Sequence, residues 1–480
     1  MQGIRGKKVL LIEPAGNLPF YILPLGLGFL KSNAPDHHDV RIYDCSLKGV
    51  FSDSPDLLRE IAEYGPDVVG VSASMQTYSE AVRIVSKVKS VSRDIATVMG
   101  GAHPSIFGEK VMENEDLDFI FRGEAELMFG AFLDRLGTEE GFDGIKGLGY
   151  RRNGRVVLND INLEADIDMI RYPDYRHIGL DEYIRNGYSY GGFYGKSAPI
   201  WITRGCPYGC SFCSASLING KKIRRHSIPY IMNWIDHLYR EHGIRQFALV
   251  DDNFTFQMDY AKEFCRTVID LRERGHFSEK IYFATPNGVR IDSLDDELIA
   301  LMKKAGWKGL SIAPESGSKK TLKRMRKTLD PDKVPGVVKR IKKQGLDVRA
   351  FFIIGYPGET RDDVRQTIRL IRKSKIDAII LGKFLPIPGT PIFNELVRDG
   401  EISADYMPQS IFKFVMPLSK SKEEHIYSPA GLEDLNTFAI FLRESVLLAL
   451  RNPNSIAFYF KYYGFFNLLK KLLQAMKIIK

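Results

Sequence analysis

Cysteine is scarce: five residues in 480, with three of them crowded into residues 206–213. That excludes a disulfide framework and leaves a reduced compartment with a thiol site as the expectation. Long apolar runs are also missing. No stretch reaches the roughly 18 residues that a membrane span needs. No basic segment followed by an apolar core opens the chain, so a signal peptide is not expected and a cytoplasmic location is. Neither sign of charge dominates, with 68 basic against 59 acidic residues and a net charge of +9. The lysines are scattered, which reads as a solvated surface, and no nucleic-acid partner is expected. Tandem repeats and low-complexity tracts are absent as well. What remains has the composition of a globular protein, 44% hydrophobic and 26% charged, long enough for two or three domains.

Strand and helix signals alternate along the first part of the chain. "KVLLIE" at 8–13, "DVRIYD" at 39–44, "PDVVGVSAS" at 66–74, "IATVMGG" at 95–101 and "LDFIFRG" at 117–123 read as buried strands. Amphipathic helical patterns separate them, such as 77–91. Near-continuous apolar strands between such helices predict a parallel, doubly wound sheet, whose ligands sit beyond the carboxyl ends of the strands. Residues 138–197 read as a linker with one hairpin turning at Asn153–Gly154. A second series starts at "PIWITRG", with strands expected near 247–252, 281–287, 309–316, 348–355 and 378–386. Six such units make an incomplete eight-fold barrel with its working end at the carboxyl ends of the strands. Domains are therefore expected at 1–137 and 198–395, joined by 138–197 and followed by a helical region at 396–480.

Cys206, Cys210 and Cys213 are spaced C-x3-C-x2-C, and no fourth cysteine or histidine lies in that loop. A structural zinc site closes with four ligands. Three thiolates instead suit three corners of a [4Fe–4S] cluster, with one iron left open. Zinc with a distant fourth ligand and fortuitous clustering stay open at this point.

The loop "CPYGCSFC", with Phe212 before its last cysteine, resembles the radical S-adenosylmethionine (SAM) superfamily. "LVDDNFT" at 249–255, "IAPESGS" at 312–318, "FFIIGYPGET" at 351–360 and "FLPIPGTP" at 384–391 follow in the family's order. The resemblance implies a cluster on Cys206, Cys210 and Cys213 whose open iron binds SAM and cleaves it to a 5′-deoxyadenosyl radical. It also implies SAM contacts from Phe212, Asp252, Glu315, Ser316, Gly355 and Glu359. A carboxylate suits the SAM ammonium, hence Asp252 or Glu315. Arg349 is expected to serve the SAM carboxylate.

The upstream domain resembles the cobalamin-binding domain of B12-dependent radical SAM enzymes. That family's D-x-H-x-x-G, S-x-L and G-G elements are matched by Asp44, Ser46 and Gly49, by Ser72 and Ser74, and by Gly100 and Gly101. Ser46 stands where the family's cobalt-ligating histidine would be, and a hydroxyl is a poor cobalt ligand. The resemblance thus implies cobalamin without a histidine lower ligand. A domain that kept the fold and lost the cofactor is the alternative. His37, His38 and His103 are expected on the surface or in loops, and Cys265 in the core.

The fold class implied is α/β: a Rossmann-like, cobalamin-binding-type domain, a partial (βα)6 radical SAM barrel, and a helical C-terminal region. The activity implied is methylation of an unactivated carbon of a small-molecule or lipid substrate. A low-potential donor of flavodoxin or ferredoxin type would supply electrons. A cyclisation or rearrangement is the alternative within the class. An RNA methylthiotransferase is disfavoured, because only Cys45 precedes residue 206. A non-catalytic cobalamin- or metal-binding protein would have no need of the later strand-end motifs. The basic, aromatic segment 455–480 reads as a barrel cover, with peripheral membrane contact as the alternative.

Overall fold

The computed structural model describes residues 5–16, 23–138, 140–191, 194–406, 427, 429–432 and 437–451. The chain forms two compact units. The first comprises Met1–Tyr188, Ser214–Ser227 and Asp405–Gln409; the second comprises Ser189–Cys213, Ile228–Ala404 and Ser410–Lys480.

The first unit is built on five parallel strands, β1 (Lys8–Glu13), β2 (Asp39–Asp44), β3 (Val68–Ser72), β4 (Ala96–Gly100) and β5 (Phe119–Phe121). A hairpin, β6 (Leu148–Arg152) and β7 (Arg155–Leu158), adds antiparallel to β5, giving the order β2-β1-β3-β4-β5-β6-β7. Strand β1 shows why its run is apolar throughout. Leu10 and Ile12 enter the core on one face, with helices α3 (Pro55–Tyr64) and α4 (Tyr78–Val91). Val9 and Leu11 enter a second core with α1 (Leu25–Asn33) and α6 (Phe129–Arg135). A strand covered on both faces has no polar side to alternate. Each such Leu, Ile or Val contributes roughly 1.5–3 kcal/mol by leaving water.

Two expectations change here. Residues up to Tyr188 belong to the first unit rather than to a linker, because the hairpin extends its sheet. The turn residues are Asn153 (φ +50°) and Gly154 (φ +76°), the left-handed pair that a tight hairpin needs. His38 and His103 are also buried rather than superficial. His38 accepts from the Lys7 amide at Nδ1 (3.1 Å) and reaches Asp134 through Nε2 (3.2 Å). His103 stacks on Tyr78 at 3.7 Å, and burial pushes its pKa down to about 4.

Among the described residues, the second unit carries six parallel strands: β8 (Ser197–Ile200), β9 (Gln246–Leu249), β10 (Tyr282–Ala284), β11 (Gly309–Glu315), β12 (Asp347–Ile354) and β13 (Ala378–Lys383). They pair as β10-β9-β8 and β11-β12-β13. Parallel bridges at Phe283–Trp307 and Val289–Ile312 join the two sets into one six-strand order. Burial alternates along β12: Val348, Ala350, Phe352 and Ile354 are buried, while Arg349, Phe351 and Ile353 are half-buried. Between the strands run α8 (Ile228–Glu241), α9 (Met258–Glu273), α10 (Asp296–Ala305), α11 (Lys319–Arg324), α12 (Val334–Lys343) and α13 (Arg361–Ser374). Helix α13 starts on a capping box, Thr360 with Asp363. Cys265 is fully buried on α9. After α14 (Pro391–Arg398), α15 (Thr437–Arg451) packs on β13 and α13, where Arg372 grips buried Glu444 with bonds of 2.7 and 2.8 Å. Segment 455–480 lies outside the described residues.

Candidate active site and cofactor cavity

In the second unit, the chain leaves β8 through Thr203, whose amide donates to the buried Asp251 carboxylate, and enters the cysteine loop. Cys206, Cys210 and Cys213 are half-buried and none is in a disulfide. The residue that anchors the loop is Ser211. Its amide donates to the Met325 carbonyl (2.9 Å), and its own carbonyl accepts from the Ile392 amide (3.0 Å). Its hydroxyl lies 3.0 Å from the Arg324 carbonyl and 2.7 Å from Tyr356 Oη. A carbonyl can only accept, so the Ser211 proton goes to Arg324 and Tyr356 donates to Ser211 Oγ. Phe212 adds an apolar anchor, meeting Tyr356 edge-on at 6.4 Å beside Leu322, Met325 and Ile392.

Two cations flank the thiols. Arg290 lies 3.8 Å over the Tyr208 ring and holds Asp292 with bonds of 2.7 and 2.9 Å. Lys327 pairs with Glu315 at 2.8 Å, both side chains being at most 10% exposed. Burial pushes the Cys206 and Cys210 thiols up; Arg290 opposes this at both, and Lys327 opposes it at Cys210. Asp252 and Glu315 act in the other sense on Cys206 and Cys210 respectively, which places these two carboxylates beside the loop. Glu315 reaches that position through a bulge after Ile312, with its backbone at φ +64°.

The other expected residues are distributed less simply. Ser316 is buried, accepting from the Ser318 amide of its own turn (3.2 Å) and lying 3.1 Å from Thr367 Oγ1 on α13. Gly355 (φ +77°) and Tyr356 donate their amides to Glu359 at 2.6 and 3.2 Å. Glu359 thus turns back on its own loop, and burial raises its pKa to about 7. Arg349 is a correction. It is the third residue of β12, in register with Ser311 and Ala378, roughly 20 Å along the chain before Gly355. Its charge acts on Tyr194, at the amino end of the strands, and it is not brought to the cysteine loop. A strand's side chains alternate in direction, but its length separates its two ends, and motif spacing alone did not weigh that.

The site also holds orphaned polar atoms. Asp251 Oδ2, both amide atoms of Asn253, Thr285 Oγ1 and Glu359 Oε1 are buried without hydrogen-bond partners. All four residues follow the carboxyl ends of β9, β10 or β12. An unsatisfied buried group costs about 1–3 kcal/mol. Their concentration at one end fits a polar ligand such as SAM, and the three cysteines fit a cluster bound by thiolates. Ser211 and Asn253 lie inside quoted motifs without having been singled out, while Arg290 and Lys327 lie outside every quoted motif.

In the first unit, a cavity of about 300 Å³ opens at the carboxyl ends of β1 and β3. Its polar wall is Glu13, Ser46, Ser72, Ser74, Gln76 and Thr77. The rest of its described wall comes from Pro14, Gly16 and 23–27, where leucines and prolines line it. Of the residues expected from the second-strand motif, only Ser46 lines the cavity. Asp44 lies beneath: it caps α2 (Cys45–Lys48) through the Leu47 amide at 2.9 Å and accepts from Tyr183 Oη at 2.5 Å. Gly49 ends that helix in the left-handed region (φ +67°). Gly100 and Gly101 are not in the cavity wall. Gly101 (φ +106°) is required by its own chain, because a Cβ there would meet the Ala73 carbonyl at 2.8 Å. Among the described residues, no histidine, lysine or arginine lines the cavity. Its hydroxyls and apolar wall fit a hydrogen-bonding, partly apolar organic group, such as one part of a larger cofactor, and supply no imidazole for a metal.

Residues 200–371 match the family model of the Radical SAM superfamily, and residues 14–133 match that of the B12 binding domain. An uncharacterised methyltransferase of Pyrococcus horikoshii is 31% identical over 379 residues, 78% of this chain and 79% of that protein. The chain belongs to the B12-binding radical SAM family. This radical SAM enzyme is also 26% identical, over 457 residues and 84% of each protein, to cytidylyl-2-hydroxyethylphosphonate methyltransferase of Streptomyces wedmorensis. Its fold is similar to that of the radical SAM methyltransferase TsrM from Kitasatospora setae, with a TM-score of 0.72 at 17% identity, covering 92% of this chain and 91% of that one.

Proposed function

We propose that this radical SAM enzyme transfers a methyl group to an unactivated carbon of a small molecule. The observation that carries the reading is the pairing of a three-cysteine loop, buttressed on several sides, with a hydroxyl-lined cavity that has no histidine among its described lining residues. Cys206, Cys210 and Cys213 hold the cluster, while Asp252, Glu315 and the orphaned Asn253 offer contacts for SAM. Ser46, Ser72, Ser74 and Thr77 line the cobalamin site. Bound in these places, the cluster with SAM supplies a radical that activates the substrate carbon, and cobalamin supplies the methyl group. The protein's own work is to fix the thiols, as Ser211 and Phe212 do, and to keep solvent from them. A flavodoxin- or ferredoxin-type donor delivers the electron. No helix among the described residues is long and apolar enough to cross a membrane.

The test uses anaerobic, cluster-reconstituted protein with cobalamin, SAM and a strong reductant. Bound iron and cobalamin are quantified, then 5′-deoxyadenosine and S-adenosylhomocysteine. Both products are expected. 5′-Deoxyadenosine alone would retire methyl transfer in favour of cyclisation or rearrangement, and zinc in place of iron with neither product would overturn the reading.

A further inference from the structure

We infer that Glu13 is a cofactor-binding residue of the first unit, donating a hydrogen bond into the cavity as a neutral carboxylic acid. The inference rests on that cavity being the cobalamin site, and it concerns a residue outside every motif in the sequence.

The geometry comes from three adjacent strands. Glu13 ends β1 in register with Asp44, which ends β2, and Ser72 ends β3 on the other side. Glu13 and Ser72 both line the cavity, and no lysine, arginine or histidine is among the described residues that line it with them. An ionised Glu13 would face the cavity without a counter-ion. Glu13 is half-buried and Asp44 buried, and two neighbouring carboxyls so shielded from water do not readily both ionise. The donors decide which keeps the proton. Asp44 has Tyr183 Oη and the Leu47 amide, so the charge settles there. Glu13 has the Ser72 hydroxyl; burial first, and Asp44 second, push it up to about 8. The other titratable groups facing it are Cys45 on α2 and Tyr183, both raised by burial and both neutral at this pH.

A neutral acid has one proton to donate, and cobalamin presents acceptors, the amide carbonyls of its corrin rim and the phosphodiester of its nucleotide tail. Ionised, the same side chain would lose that donor and repel the phosphodiester. Proton loss from Glu13 therefore opposes binding.

The experiment measures methylcobalamin affinity of the full-length protein by equilibrium dialysis between about pH 6 and about pH 10, with far-ultraviolet circular dichroism at each point to confirm folding. Methylcobalamin is chosen because its upper ligand does not titrate in that range. Wild-type affinity is expected to stay level to near pH 8 and then fall about tenfold per pH unit. Glu13→Gln, which keeps a neutral donor, is expected to bind at pH 7 within about threefold of wild type and to lose the fall, while Glu13→Ala binds weakly throughout. Wild-type affinity that does not change with pH, or an unchanged fall in Glu13→Gln, would overturn the inference while leaving the cofactor reading intact. No binding at any pH would overturn the cofactor reading and the inference together.

Discussion

The two cofactor places solve opposite electrostatic problems. Around the cysteine loop the second unit sets cations, Arg290 and Lys327, against the desolvation of Cys206 and Cys210. The first-unit cavity has no cation among the described residues of its wall, and its acids are managed by proton retention and by donors such as Tyr183. Thiolates bound to a cluster stay charged, so their site must supply compensating charge. A large cofactor held by many hydrogen bonds needs neutral donors and acceptors, and a stray carboxylate would be a liability there.

Breaking the charged side should have the largest effect. Replacing any of Cys206, Cys210 or Cys213 by Ala is expected to abolish the cluster's visible absorbance and 5′-deoxyadenosine formation, with cobalamin binding retained. If cobalamin binding disappeared as well, the two places would not be separable. Lys327→Met strands Glu315 in a nearly buried position. It should lower stability by about 3–5 kcal/mol in denaturant unfolding, and a Lys327→Met/Glu315→Gln pair should recover most of that.

On the neutral side, Glu13 sets a pH dependence with a definite sign. Its carboxyl keeps its proton in the folded chain up to about pH 8, whereas the unfolded chain releases it near the ordinary 4.5. Between these values the folded state holds the extra proton. The stability this contributes is complete below the ordinary value, declines by about 1.4 kcal/mol per pH unit as pH rises, and is gone above the folded value. Glu13→Gln should flatten that decline, so its gain in melting temperature over wild type should be larger at pH 8 than at pH 5; equal gains would argue against a buried acid. Tyr183→Phe removes the donor that lets Asp44 carry charge, for about 1–3 kcal/mol. Smallest is Ser211→Ala, about 1 kcal/mol in unfolding, with a broadened cluster electron paramagnetic resonance signal as the sign that the loop has loosened.

Much of the chemistry was legible in the linear chain because it is local. Three cysteines within eight residues need no fold to be seen as one ligand set, and "KVLLIE" announces a strand buried on both faces. Asp252 and Glu315 could be expected beside the loop, since one follows a strand and the other ends one, and strand ends in a parallel barrel face one way. Arg349 shows the limit: its type suited a carboxylate, but it sits at the wrong end of its strand. The glycine pair shows another, because Gly101 is already required by its own backbone at Ala73, a constraint invisible in the motif.

The sequence by itself determined the repeated strand-and-helix order, the thiol triad and the absence of an imidazole at Ser46, all properties of neighbours along the chain. Only the tertiary structure decided that Ser211 joins three distant segments, that Lys327 neutralises Glu315 beside Cys210, and that Glu13, Asp44 and Ser72 end side by side. Those groups are tens to hundreds of residues apart. Their charges and protons are settled by burial and by partners, and neither exists until the strands have paired.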